Sequence, residues 1–271
     1  MNADLHYLNL LQHIESFGDV VNTRNAIAKS SFDVPPISFC SAPLVTVRKT
    51  AWKMALREME WFLSGEPDCP KELLPWWHSQ LDSHGRYVAG YGQQLRKWDG
   101  YFDQVQYLIC GLRGSPNSRR HILTTWNASQ MATITAMNGN LNTPTTCHNT
   151  MTQFFLRYGK LSMKTYQRSA DLLLGVPHNW IQSWALLLWI CRQVGEHVVP
   201  GQMIWHFGDA HIYQEASHLE TLSAILDAKP MLECRHWMVY SGVRGDPFRA
   251  ADFEMRGTIP EPQVTTKPKL L

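Results

Sequence analysis

Apolar residues at helical spacing open the chain. Leu5, Leu8, Leu10, Leu11 and Ile14 predict a helix over residues 4–17 that ends near Gly18. Residues 19–48 read as irregular, with β-prone pieces around Pro35-Pro36. The clearest periodicity runs from Thr50 to Leu63. At about 100° per residue, Ala51, Met54, Ala55, Met59 and Phe62 cover one broad face, while Lys53, Arg57 and Glu60 gather opposite. Gly65 and Pro67 end that helix. Residues 66–100 read as loop, rich in aromatics and broken up by Gly85, Gly90 and Gly92. A helix is predicted over Tyr101–Leu112, with Phe102, Val105, Leu108 and Ile109 on one face.

After a turn at Ser115–Arg120, His121–Trp126 is β-prone and Thr133–Pro144 reads as a polar loop. Thr152–Tyr158 is β-prone and Gly159-Lys160 can turn. Leu161–Gln167 then alternates, with Leu161, Met163 and Thr165 on one side and Ser162, Lys164 and Tyr166 on the other, which predicts a hairpin. Trp180–Val194 is apolar enough for a buried helix, and Pro200–Phe207 reads as a strand. Gly208–Tyr213 is read as opening a helical stretch that reaches about Leu226. Met231–Tyr240 and Phe248–Met255 read as strands. The pattern shows no repeat and no low-complexity linker. One α+β domain over residues 1–271 is the simplest organisation, with 259–271 a loose tail.

Composition narrows the function classes. A 44% hydrophobic content with eleven Trp supplies a large core, and the net charge of only +2 leaves no electrostatic footprint for nucleic acid. The longest apolar run, Trp184–Cys191, is far short of a membrane span. The six cysteines are scattered, without a CxxC pair, and no secretory signal is visible at the N-terminus. Both features suit a reducing, cytoplasmic setting. Cys147-His148 is not a zinc spacing, and His206 and His211 lack obvious partner ligands, so no metal is expected.

Chemistry concentrates between Cys147 and Asn179. The predicted hairpin returns Gln167 and Arg168 toward Cys147, and a guanidinium beside a thiol favours the thiolate. The alternative for Cys147 is a small buried hydrophobe. Glu58 falls in the apolar arc of its helix. A carboxylate there is costly unless paired, bonded or neutral. It is either a proton-transfer group with a raised pKa or a structural carboxylate bonded to backbone. Arg119-Arg120 at a strand entrance can grip a phosphate or form a basic surface turn. Arg24 and Arg48 read as solvated arginines.

Three blocks, Tyr166-Gln167-Arg168-Ser169-Ala170-Asp171, Leu174-Gly175-Val176-Pro177-His178-Asn179 and Gly208-Asp209-Ala210-His211-Ile212-Tyr213, together resemble the thymidylate synthase family in order and spacing. Pro43-Leu44-Val45-Thr46, Glu58 with Trp61-Phe62-Leu63, Tyr91-Gly92 and Asn117–Arg120 support the resemblance over roughly residues 5–255. It implies a mixed β-sheet flanked by helices, with one sheet face forming a homodimer interface. It also implies Cys147 as the nucleophile that adds to C6 of dUMP, with 5,10-methylenetetrahydrofolate as co-substrate. Glu58 and Tyr91 would serve the chemistry. Arg24, Arg168, Gln167 and Ser169 would hold the nucleotide phosphate, joined by Arg119 and Arg120 from a second subunit. Asn179 would read the base and His211 and Tyr213 the sugar. Trp77, Asp171 and Gly175 would meet the folate. The glycine-rich run that follows the matching arginine in the family is absent after Arg24.

Some positions depart from the synthase pattern. Asn149-Thr150 follows Cys147-His148 and is similar to the deoxycytidylate hydroxymethylases, as is Arg57-Glu58-Met59-Glu60-Trp61. Gln80 stands where synthases carry a second tryptophan, three residues after Trp77. The chain ends in Lys267-Pro268-Lys269-Leu270-Leu271 rather than the short apolar segment that closes over the folate in synthases. Asn179, where the deoxycytidylate enzymes have aspartate, implies uracil. The departures imply a dUMP 5-hydroxymethylase, with thymidylate synthase as the alternative product chemistry. A nucleotide-binding protein without activity is the reading of a different class. The joint presence of Cys147, Glu58, Arg168, Asp171 and Asn179 weighs against it.

Overall fold

In the computed structural model, residues 2–23, 25–130, 146, 148–230, 235–266 and 268 are described. Cys147, Arg24, the Thr133–Pro144 loop and the start of the expected Met231–Tyr240 strand lie outside them.

The first helix, α1 (Ala3–Phe17), begins where Asn2 Oδ1 accepts from Asp4 N at 2.7 Å, a side-chain cap that satisfies one orphan amide. Asp4 itself is buried. Its carboxylate accepts from Thr46 N at 2.6 Å and from Val47 N at 3.1 Å, which fixes the irregular segment before the second helix. That helix, α2 (Trp52–Ser64), buries Ala55, Leu56, Met59, Phe62 and Leu63 and stops at Gly65, whose φ of 76° favours glycine. The stretch read as irregular contains β1 (Asp19–Asn22), β2 (Ile27–Ser31) and β3 (Ile37–Phe39).

Short helical turns replace the loop expected over residues 66–100, among them α3 (Leu74–Trp77) and α4 (Tyr91–Arg96). The next helix, α5 (Gln104–Gly114), starts later than its apolar pattern predicts. Asp103 caps Gln106 N at 2.9 Å and leaves Phe102 outside. Strand β4 (Ile122–Thr124) follows.

The hairpin forms as β5 (Met151–Arg157) and β6 (Lys160–Asp171). Its turn is one residue earlier than predicted, at Tyr158-Gly159, because both residues have positive φ, as two-residue hairpin loops of the primed type require. The predicted alternation holds: Leu161, Met163 and Thr165 are buried. Helix α6 (Val176–Val194) starts before Asn179, not after it, with Pro177 tolerated in its first turn. Trp180, Ile181, Ala185, Leu187 and Ile190 are buried around its circumference, because it packs on β6, α2 and α5 at once. Each such side chain contributes about 1.5–3 kcal/mol on burial.

The largest departure is at β7 (Val199–Tyr213). The helix expected from Gly208 is a strand to Tyr213, and α7 (Ala216–Leu226) begins only after it. Partners on both edges decide this. Ser169–Asp171 pair in parallel with Asp209–His211, and Ala28–Ser31 pair antiparallel with Ala210–Tyr213. Gly208 is needed for that approach, since a Cβ there would stand 2.6 Å from Arg168 O.

The sheet order is β1-β2-β7-β6-β5-β4, with β3 also on β7. Among the named strands β6 and β7 alone pair in parallel, joined through α6, so the fold is α+β with a mixed sheet flanked by helices. One sheet face lies under α6. The other carries Met151, Phe155 and Tyr166, all partly or well exposed. A separate hairpin, β8 (His236–Tyr240) with β9 (Phe253–Gly257), completes the strands. Phe248, placed in the last strand by its sequence, instead packs on Phe253 at 4.8 Å. The tail is not loose at Val264. This residue is buried, donates to Val47 O at 3.1 Å and accepts from Lys49 N at 2.8 Å. Among the described residues no helix is long and apolar enough to cross a membrane.

Candidate active site

Glu58 is held by the helix face that predicted it. One turn either side stand Ala55 and Phe62, and the carboxyl is buried. Trp77 Nε1 donates to Glu58 Oε1 at 2.5 Å and Gln182 Nε2 donates to Oε2 at 2.7 Å. Gln182 Nε2 also donates to Ala55 O at 3.2 Å, which fixes the orientation of the amide. Burial raises the Glu58 pKa to about 7, against the two hydrogen bonds from Gln182 and Trp77 that favour the carboxylate. The sequence left open a carboxylate satisfied by backbone. Its described partners are side chains, one on α3 and one on α6.

The aromatic residues of 76–91 and the residue after Cys147 close around this carboxyl. Tyr91 stacks on His148 with ring centroids 4.4 Å apart and packs on Phe62 at 4.5 Å. The His148 main-chain N–H donates to Tyr91 Oη at 3.2 Å. His148 is buried, which pushes its pKa down to about 3, and its Nδ1 has no partner among the described residues. It is therefore a neutral ring at ordinary pH.

The start of α6 supplies the opposite wall. Asp171 Oδ1 accepts from Leu173 N at 2.9 Å and Leu174 N at 2.8 Å, turning the chain out of β6. Ala51 N donates to His178 Nε2 at 3.2 Å, so the ring proton sits on Nδ1, which donates to Leu174 O at 2.8 Å. His178 thus ties the start of α6 to the start of α2. Beside it the Asn179 side chain is buried but has no hydrogen bond among the described residues. An amide of this kind can both donate and accept.

These walls enclose a cavity of about 380 Å³. Of the residues predicted from sequence, Glu58, Trp77, Tyr91, Gly175 and Asn179 line it. His148, His178, Arg48, Lys49, Trp76 and Pro268 line it too, without having been singled out for it. Arg48 corrects its reading as a solvated arginine. It is buried, and its Nη1 donates to Leu173 O and, at 3.5 Å, to Tyr7 Oη. The available signal was its position directly after Pro43–Val47, a segment pinned by Asp4 on one side and Val264 on the other. Gln80 also lines the cavity, and its side chain has no partner among the described residues.

A second cluster lies along β6. Arg168 Nε and Nη2 donate to Thr146 O at 3.4 and 3.3 Å, and its Cζ stands 5.2 Å from the Trp126 ring. Cys147 is outside the described residues. Its neighbours Thr146 and His148 are both buried, and the expected return of Arg168 toward this part of the chain is met at Thr146. Gln167 points into the core instead. Its Oε1 accepts from Trp205 Nε1 at 3.0 Å and its Nε2 donates to Ser169 O at 3.0 Å. On β7, His211 and Tyr213 face one way with ring centroids 5.1 Å apart. Burial pulls the His211 pKa down, but hydrogen bonding to Asp209 at 3.0 Å and the charges of Asp171 and Asp209 leave it raised. Tyr213 Oη accepts from Asn25 Nδ2 at 3.1 Å. Arg24 is outside the described residues. Arg119 and Arg120 are exposed on the turn before β4 and do not line the cavity.

A carboxyl with a pKa of about 7, a neutral imidazole and an amide with no side-chain partner among the described residues thus share one aromatic-walled cavity. Of the three sequence blocks, the one at the start of α6 lines the cavity, while those on β6 and at the end of β7 lie side by side on paired strands, with Asp171 opposite His211. The family model described as thymidylate synthase matches residues 5–269, and the chain belongs to the thymidylate synthase family.

Proposed function

We propose that this protein transfers the one-carbon unit of 5,10-methylenetetrahydrofolate to C5 of dUMP and finishes with water, giving 5-hydroxymethyl-dUMP and tetrahydrofolate. Folate-dependent one-carbon transfer to dUMP is the chemistry of the family. The hydroxymethyl product is the finer reading. The observation that carries it is Gln80: where synthases have a second tryptophan, an exposed amide with no described partner lines the cavity. A short polar side chain leaves room for water and can hold it.

In this reading Cys147 adds to C6 and makes C5 nucleophilic. Arg168 binds the phosphate and favours the thiolate, with Gln167 and Ser169 supporting this part of the strand. Asn179 donates to O4 and accepts from N3–H, which an amide without a side-chain partner among the described residues permits. His211 and Tyr213 meet the sugar hydroxyl. Glu58 moves protons near the base, as its pKa of about 7 allows. Asp171, Gly175 and Trp77 face the folate, and Tyr91 holds His148 in place. Asn149 suits the altered Cys147 segment. It takes a positive φ of 48° and exchanges hydrogen bonds with Ser183 at 3.3 Å.

The cavity fits a folate. Trp76 and Trp77 offer flat apolar surface, and Arg48 and Lys49 offer cations for carboxylates. When bound, the folate supplies the one-carbon unit and, in the alternative chemistry, a hydride. Arg24, Arg119 and Arg120 are assigned to phosphate, the last two across a homodimer. The exposed Met151, Phe155 and Tyr166 on one sheet face support such an interface. Thymidylate synthesis is the second reading. It is favoured by Trp76 and Pro268, which both line the cavity and help exclude water.

The test is mass analysis of the product from dUMP and methylenetetrahydrofolate, with dihydrofolate absorbance followed in parallel. A product one oxygen heavier than dTMP, without dihydrofolate, is expected. Formation of dTMP with stoichiometric dihydrofolate refutes hydroxymethylation.

A further inference from the structure

A second cavity, of about 710 Å³, shares no lining residue with the first. It opens at the turn of the β5–β6 hairpin, over the ends of α5 and α6. Three guanidinium groups line it, those of Arg113, Arg157 and Arg244, and no carboxylate is among its described lining residues. Arg113 Nε donates to Gln193 O at 3.0 Å. Arg157 Nη1 donates to Leu156 O at 2.7 Å and to Pro116 O at 3.2 Å. Backbone carbonyls therefore orient these two groups without cancelling their charge. Arg244 has no partner among the described residues.

Tyr158 stands at the rim with a φ of 50°, a conformation that bulky side chains rarely adopt. The hairpin turn requires that conformation, and it leaves the ring 101% exposed. An exposed flat ring in a cavity lined by three arginines is a stacking surface next to phosphate-binding cations.

We propose that this cavity binds a second nucleotide, one carrying at least two phosphates, with the phosphates on Arg113, Arg157 and Arg244 and the base against Tyr158. The volume is in the range of small-molecule sites, about 300–1,000 Å³. The charge of a di- or triphosphate matches three cations. The site does not depend on the chemistry assigned to the first cavity.

Calorimetric titration with dTTP tests it, on the whole protein saturated with dUMP and on Arg168→Ala, which disables the phosphate contact of the first site. Binding of about one dTTP per chain is expected in both. Arg244→Ala and Tyr158→Asn are each expected to weaken it by about tenfold, the size of one charge-assisted or stacking contact. Pyrophosphate competes more weakly than dTTP, and thymidine does not compete. Asn tolerates positive φ, so Tyr158→Asn is also expected to raise Tm by about 2–4 °C, showing that its lost binding is not lost folding. Loss of dTTP binding in Arg168→Ala together with the dUMP-saturated protein overturns the proposal. So does dTTP affinity unchanged in Arg244→Ala, and pyrophosphate binding as tightly as dTTP removes the role of the ring.

Discussion

The indole N–H of Trp77 donates to Glu58 Oε1 at 2.5 Å, so a carboxyl that a helix buries is held by a side chain from a separate helical turn. Gln182 holds the other oxygen at 2.7 Å. Both partners are donors and favour the carboxylate, yet burial outweighs them. Glu58→Gln puts an NH2 against one of the two donors and removes the proton site. A fall in kcat of about 10²–10⁴ is expected, with KM for dUMP changed far less. Steady-state kinetics with both substrates checks this, and retained kcat would remove Glu58 from the chemistry.

The same group affects stability with a definite sign. A carboxyl whose pKa is raised from 4.5 to about 7 holds its proton more tightly in the folded chain. Its favourable contribution is complete below the lower value and is lost as pH rises through the upper one. Between about pH 4 and pH 8 the difference in unfolding free energy between wild type and Glu58→Gln is expected to move by about 3 kcal/mol toward the variant. Urea unfolding at a series of pH values measures it.

His148 works in the opposite direction. Burial holds its pKa at about 3 rather than 6.5, so the unfolded chain takes up a proton that the folded chain refuses. Its contribution is present above pH 6.5 and is lost as pH falls toward 3. His148→Phe keeps a ring against Tyr91 and cannot be protonated. Between about pH 7.5 and pH 5 the variant is expected to gain about 2 kcal/mol over wild type. Acid unfolding followed by tryptophan fluorescence reads this, and parallel curves would show that His148 is charged in the fold.

Asn179→Asp tests base recognition. A carboxylate accepts from the cytosine amino group but cannot donate to O4. The ratio of kcat/KM for dCMP over dUMP is expected to rise by about 10²-fold or more. An unchanged ratio would place the base elsewhere.

Gly208→Ala tests the strand geometry behind Arg168. The new methyl would meet Arg168 O at 2.6 Å and Tyr166 Oη at 2.7 Å. A loss of about 1–3 kcal/mol is expected from overpacking, with a raised KM for dUMP as Arg168 shifts. Thermal unfolding and kinetics check the two effects separately.

Periodicity alone determined α1, α2, the β5–β6 hairpin and the apolar body of α6, because each has a face or a run that must be buried whatever its neighbours are. It also exposed Glu58 as a carboxylate on the wrong side of a helix. Three local blocks carried the family resemblance. Tertiary structure decided the rest. Gly208–Tyr213 looks like a helix start because Gly and Asp are common at turns, yet partners on β6 and β2 satisfy its backbone as strand. Arg48 reads as a surface cation until Asp4 and Val264 pin the segment that carries it, and the tail reads as loose until Val264 pairs with Val47 and Lys49. The walls of the cavity come from distant parts of the chain. A one-dimensional pattern records which side chains want burial, but not which carboxyl, imidazole and amide will meet, because that depends on contacts made only when the elements pack.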